Sequence, residues 1–232
     1  MNQPERSSNN PLPPPGISFE NVPHLHEKGG MRDFSTEALS AREAYQLLIS
    51  TIVPRPIAFV STVGEEGLTN AAPFSFFTAL NAQPMFIAFS IISPKGKKKD
   101  TLRNIEWAQD FVVNMVDETL ADPMNATAFN FPPEISELEF LGIQTVKSLI
   151  VKAPRIESSP VQMECKLISL MPLTEEVTLI IGKVLHVHVR ESLFTEDGKI
   201  NQNELKVIGA MGGNRYCCVE NTFELKRPEI KL

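Results

Sequence analysis

Two long β-rich runs, Val161 to Leu170 and Val177 to Val189, constrain the fold more than any other feature of the chain. Their mixed alternation of apolar and polar residues suits strands of a curved sheet with one buried face. Shorter strands are predicted ahead of them, over Ile57 to Val63, Phe74 to Leu80, Met85 to Ile92 and Phe111 to Val116. Each is rich in β-branched and aromatic residues. The tail from Gly209 to Pro228 combines a glycine turn with a last apolar strand. Helices are few. Ser40 and Glu43 form a capping box ahead of an apolar face made by Ala44, Leu47, Leu48 and Ile49, which predicts a helix over 41–50 that Pro54 and Pro56 stop. Asp100 or Thr101 caps a second, running to Ala108. Residues 118–142 read as helical and irregular, broken by Pro123 and Pro132-Pro133. A parallel α/β fold needs regular strand–helix alternation, which is absent. The fold class is therefore mainly β: a closed or nearly closed antiparallel barrel with a few helices.

The 232 residues, 42% of them hydrophobic, suffice for a sizeable core. A net charge of −6 makes nucleic acid and anionic membranes poor partners. No run of about 18 apolar residues is present to span a bilayer. Cys165, Cys217 and Cys218 have no disulfide spacing. They read as free thiols in a reducing compartment, and the location expected is cytoplasmic. The N-terminus has no apolar signal core, so the Asn125-Ala126-Thr127 sequon is set aside. Residues 1–34 form a proline-rich extension of extended or disordered character, or one that drapes over a partner subunit; residues 35–232 form the folded domain.

Chemistry concentrates in two stretches. Ser90 to Thr101 is a strand end, then a loop with Lys95, Lys97, Lys98 and Lys99, then a helix start at Asp100-Thr101. Unpaired N–H groups and partial positive charge at a helix N-terminus, with lysines and hydroxyls beside it, can hold a phosphate. A solvated lysine-rich loop is the plainer alternative. The second stretch is Asn70-Ala71-Ala72-Pro73-Phe74-Ser75-Phe76-Phe77. Small residues allow close backbone approach and phenylalanines supply apolar surface, so this strand could line a flat heteroaromatic ring. Ordinary core packing is its alternative.

Read together, an ordered set of short strings stands out: Pro54-Arg55-Pro56-Ile57-Ala58, Ser61-Thr62-Val63, Asn70 to Phe77, Lys99 to Asn104, and Phe111-Val112-Val113-Asn114. Asn125 to Ala128, Glu164-Cys165 and Gly212-Gly213 with Tyr216 follow. Over residues 40–228 the set resembles the flavin reductase-like family, in its flavoredoxin-type branch. The resemblance implies an FMN-binding split β-barrel with Greek-key connections, and a homodimer with each flavin near the subunit interface. It implies that Asn70, Ala71, Ala72, Pro73, Phe74, Ser75 and Phe76 line the isoalloxazine, and that Ser90, Lys99, Asp100 and Thr101 take the phosphate. Ser61 and Thr62 match positions near the ribityl chain. One departure stands out: relatives carry an arginine shortly before the C-terminal glycine pair, where this chain has Ala210 and Met211, with Arg215 after it.

The expected activity is that of an FMN oxidoreductase passing electrons from NAD(P)H through FMN to an acceptor, which could be a protein. Two alternatives remain: an FMN carrier without NAD(P)H oxidation of its own, and a barrel that no longer binds flavin. No catalytic acid or base is assigned, because the chemistry belongs to the cofactor. His186 and His188 share a strand face but lack a third metal ligand. Cys217-Cys218 reads as packing, and Glu137 and Glu139 as solvated helix positions. Neither a Gly-x-Ser-x-Gly elbow nor a Gly-x-Gly-x-x-Gly fingerprint occurs.

Overall fold

In the computed structural model, residues 30–93 and 97–228 are described. Most of the 1–34 extension, and Lys95 of the lysine loop, lie outside the described residues. Contacts divide the chain into two units, 30–54 with 210–217, and 55–209 with 218–228. The first carries helix α1 (Ala41–Thr51). Its capping box forms as the sequence predicts: the Glu43 N–H donates to Ser40 Oγ, and the Ser40 N–H donates to the Glu43 carboxylate at 2.8 Å.

The second unit holds the barrel. Its strands are β1 (Ala58–Val63), β2 (Thr69–Phe74), β3 (Phe77–Ala82), β4 (Met85–Ile92), β5 (Asp110–Asn114), the two-residue β6 (Thr145–Val146) and β7 (Arg155–Ile156), β8 (Val161–Pro172) and β9 (Val177–Val189). Seven of them form one antiparallel sheet in the order β2-β1-β5-β8-β9-β4-β3. The two edge strands, β2 and β3, are consecutive in the chain and joined only by Ser75 and Phe76. Two residues reach at most about 7 Å. The ends of the sheet are therefore brought together covalently, and the sheet curls into a barrel split at the β2/β3 seam. The single strand expected over Phe74 to Leu80 is in fact broken by this bend, an interruption that a continuous apolar run does not reveal. Pro73 is tolerated in β2 because that strand is an edge.

Ala58, Val60, Ile87, Phe89, Ile91, Phe111, Val113 and Ile180 fill the core from the strands. Helix α2 (Asp100–Ala108) contributes Leu102 and Ile105 to the same core. The Phe111 ring packs edge-on to Phe89 at 5.5 Å and covers Gly182 of β9, where a Cβ has no room. Cys165 is fully buried here, and desolvation pushes its thiol far above the usual range, so it is inert packing.

A second buried feature is polar. Glu164 of β8 is fully buried and accepts from the N–H groups of Leu149 (2.8 Å), Ile150 (2.7 Å) and Val151 (3.2 Å). His188 Nε2 lies 2.7 Å from it and Arg155 Nε 3.8 Å. Burial alone would raise the Glu164 pKa, but these hydrogen bonds outweigh it and hold it down at about 2. Asp110 likewise accepts from the N–H groups of Lys152 and Ala153. Two carboxylates thus tie the 149–153 loop to the barrel. The paired histidines find their place here, with His188 bonded to Glu164 and its ring 4.6 Å from that of His186.

Candidate functional site

The other polar centre forms where β2 meets the start of α2. Ala71 of β2 lies wholly in the core, whereas Asn70, Ala72, Pro73 and Phe74 line a cavity of about 370 Å³. That size lies within the roughly 300–1,000 Å³ range of ligand sites. Lys99, Asp100 and Thr101 line the same cavity, so both sequence stretches converge on one space.

Lys99, not Asp100 or Thr101, is the N-cap of α2, and its side chain makes no capping hydrogen bond. Asp100 is the first helical residue and pairs with Arg103. The first turn therefore keeps backbone N–H groups without a side-chain cap, beside a lysine. The cations around it are not equivalent. Lys98 is engaged by Glu106 at 2.8 Å and Arg103 by Asp100, whereas Lys99 Nζ donates to the neutral Asn130 Oδ1 at 2.8 Å and keeps its full charge for an anion.

Asn70 organises the polar wall. Its Oδ1 accepts from Thr101 Oγ1 at 2.8 Å and from Thr62 Oγ1 at 3.3 Å; its Nδ2 donates to Glu137 Oε1 at 2.8 Å. Asn104 Nδ2 in turn donates to Thr62 Oγ1 at 3.0 Å. The Thr101 hydroxyl is thus committed to Asn70, and what Thr101 offers the cavity is its place in the first helical turn. Glu137 opens the short helix α4 (Glu137–Phe140), which follows α3 (Ala121–Ala126) and is capped by Ser136. Only 6% exposed, it lines this cavity, contrary to the solvated position expected of it. A four-residue helix has too little periodicity to show a buried face, and its partner Asn70 is remote in sequence. Desolvation raises the Glu137 pKa; the Glu137 and Ala71 backbone N–H groups and the Asn70 amide oppose the rise, and the Asp100 charge adds to it. Its Oε2 is buried and has no hydrogen-bond partner among the described residues.

The apolar wall is broader than the sequence indicated. Phe129 and Phe131, edge-to-face at 5.1 Å, join Pro73 and Phe74 around the cavity. They escaped notice because they lie in a loop with no strand or helix period. A second cavity of about 350 Å³ adjoins, bounded by the Gly64–Glu66 turn and Asn104, and sharing Asn70, Asp100, Arg103 and Glu137 with the first.

The remaining expected positions do not line the cavity. Ser61 Oγ donates to the Pro154 carbonyl at 2.5 Å and takes Asn114 Nδ2 at 3.0 Å, inside the barrel wall. Thr62 acts behind Asn70. Ser75 lies at the β2/β3 bend, where Arg55 Nε donates to its hydroxyl at 3.4 Å, and the Phe76 carbonyl accepts the Ser90 N–H at 3.0 Å. A flat apolar wall, an uncapped helix start and a cation not spent on a carboxylate are the complements of a ring, a phosphate and its charge. The residues present therefore fit a flavin mononucleotide.

The flavin reductase like domain profile matches residues 50–204. The structure is similar to nitrilotriacetate monooxygenase component B from Bacillus cereus, at 35% identity over 85% of this chain and 100% of that one, TM-score 0.81. It is also similar to 2-nitrobenzoate 2-nitroreductase NbaA of Pseudomonas fluorescens, at 31% identity over 86% and 98% of the two chains, TM-score 0.79. A split-barrel-domain protein from Shewanella frigidimarina NCIMB 400 shares the fold at 22% identity over 86% and 100%, TM-score 0.75. The fold is thus the split barrel expected, and the chain belongs to the flavin reductase-like family.

Proposed function

We propose that this chain binds FMN in the cavity between β2, the start of α2 and the 127–133 segment, and that it oxidises NAD(P)H and delivers the electrons to an acceptor. The observation that carries the reading is the convergence, in one cavity, of the Phe74/Phe129/Phe131 wall with Lys99 and the uncapped α2 start. FMN supplies hydride acceptance and one- or two-electron transfer. The chain's part is to bind, orient and shield it. Lys99 and the first-turn N–H groups take the phosphate, and Ala72, Pro73 and Phe74 lie along the ring. Asn70, braced by Thr101 and Thr62, presents a fixed polar edge. Ser61, Ala71, Ser75, Phe76 and Ser90 act from behind this wall, holding the strands that form it.

A nicotinamide stacked on the exposed ring face needs no Rossmann domain. Two of the similar structures are named for a monooxygenase component and a nitroreductase. An acceptor protein and a small nitro compound are therefore the acceptor classes to try. We further propose a cytoplasmic homodimer: Ile168, Met171, Leu185 and Val187 leave apolar surface exposed along β8 and β9, as expected of a face covered by a second copy. An FMN carrier is the second reading, favoured by the absence of an arginine at Ala210 and Met211. Steady-state oxidation of NADH and NADPH with added FMN tests the choice. Turnover above that of free FMN supports the oxidoreductase. FMN held without turnover makes the chain a carrier.

A further inference from the structure

Glu137 is a buried carboxylate with one oxygen unused. Oε1 takes the Asn70 amide at 2.8 Å, while Oε2 has no partner among the described residues. Three of the nearby cations are placed elsewhere, Arg103 on Asp100, Lys98 on Glu106 and Lys99 on Asn130, while Lys97 lines the cavity as an exposed side chain. Leaving a buried acceptor unmet is unfavourable, and such an exception in a folded protein calls for a specific explanation. Here the cost is imposed from outside, because Thr101 and Thr62 fix the Asn70 carbonyl and so aim its N–H₂ group at Glu137. The missing donor is expected from whatever fills the cavity that Glu137 lines.

A flavin has two kinds of donor, the ring N3–H and the ribityl hydroxyls. The ring matches the aromatic surface of Phe74, Phe129 and Phe131, none of which borders the second cavity. Glu137 belongs to the wall common to both cavities, in the company of Asn70, Asp100, Arg103 and Pro133. All but the proline are polar, which suits a polyol. A phosphate there would face two carboxylates, whereas a hydroxyl gains an anionic acceptor. The terminal torsion of a glutamate is broad and its two oxygens turn together, so a small rotation brings Oε2 toward the cavity with Oε1 still within reach of the Asn70 amide.

We propose that Glu137 is a flavin-binding residue whose Oε2 accepts a hydrogen bond from a ribityl hydroxyl, so that the site selects flavins bearing the polyol chain. This rests on the FMN reading above.

The test titrates wild type, Glu137→Gln and Glu137→Ala with FMN, riboflavin and lumiflavin, which lacks the polyol, and melts each protein without flavin. Glu137→Gln keeps an acceptor for Asn70 but turns an amide N–H₂ toward the ligand. It should weaken FMN and riboflavin roughly fivefold to tenfold, leave lumiflavin within about twofold, and leave Tm unchanged or raised. Glu137→Ala should weaken both polyol flavins further, since it also strands the Asn70 amide. Equal losses for lumiflavin, or undiminished binding of all three by Glu137→Gln, would overturn the assignment while the FMN reading stands. A wild type that binds none of the three would overturn the FMN reading and this inference with it.

Discussion

Glu164 and Glu137 are carboxylates withdrawn from water in the same unit, at 0% and 6% exposure. Around Glu164, three backbone N–H groups and His188 meet the charge, and its pKa falls to about 2. Around Glu137, the Asn70 amide and the Glu137 and Ala71 backbone N–H groups favour the charge, yet burial outweighs them and pushes its pKa up. Burial therefore does not itself set the pKa of a carboxylate; the donors that meet it do. The Glu164 carboxylate is met on both oxygens and holds a loop, although the neighbouring Arg155 Nε is buried with no hydrogen-bond partner among the described residues. The Glu137 region lines a cavity and lacks a donor.

The largest expected effect lies on the satisfied side. Glu164→Ala strands three N–H groups and the His188 side chain, and should cost about 3–5 kcal/mol in chemical denaturation. Glu137→Gln should stay within about 1 kcal/mol of wild type or exceed it, since it removes a poorly met charge. Equal losses at the two positions would break the comparison. Next comes the phosphate. Lys99→Ala should weaken FMN roughly tenfold more than riboflavin, by loss of one charge-assisted bond, and equal weakening in a binding titration would remove Lys99 from the phosphate site.

The pH dependence sharpens the contrast. Glu164 has a depressed folded pKa, so its contribution is present above the unfolded value of 4.5 and is lost as pH falls toward about 2. Glu137 has a raised one, so its contribution is fully present below 4.5 and is lost as pH rises through the folded value. Acid denaturation curves should therefore shift in opposite senses: Glu137→Gln removes a stabilisation present only in acid, and Glu164→Gln one present only above it. The smallest effect is expected one step behind the wall. Thr62→Val loses the 3.3 Å bond to Asn70 and the 3.0 Å bond from Asn104, and should cost about 1 kcal/mol by thermal melt with little change in flavin affinity.

Much of this frame was legible in the chain. Strands β4 and β9 fall on the predicted bounds because their apolar runs end at turn residues, and α1 starts where Ser40 and Glu43 place it. Local chemistry marked the Asn70 and Lys99 stretches separately, and the family resemblance implied that they serve one ligand; both line one cavity. What was not legible depends on distant partners. Ser61 looks like any strand hydroxyl until Pro154 and Asn114 claim it. Glu137 looks like a solvated helix residue until Asn70 reaches it. Glu164 carried no signal of its three N–H donors, since these come from a loop with no regular structure. The Ser75-Phe76 bend hides inside a phenylalanine-rich stretch that carries no glycine to mark it.

The most direct test of the central claim is the visible absorbance of the purified protein before and after FMN is added, with the bound chromophore released by denaturation and identified. A flavin spectrum is expected, carried through purification or restored on addition, with FMN as the released compound. A colourless protein that takes up no FMN would contradict it, leaving a split barrel whose cavity serves another ligand.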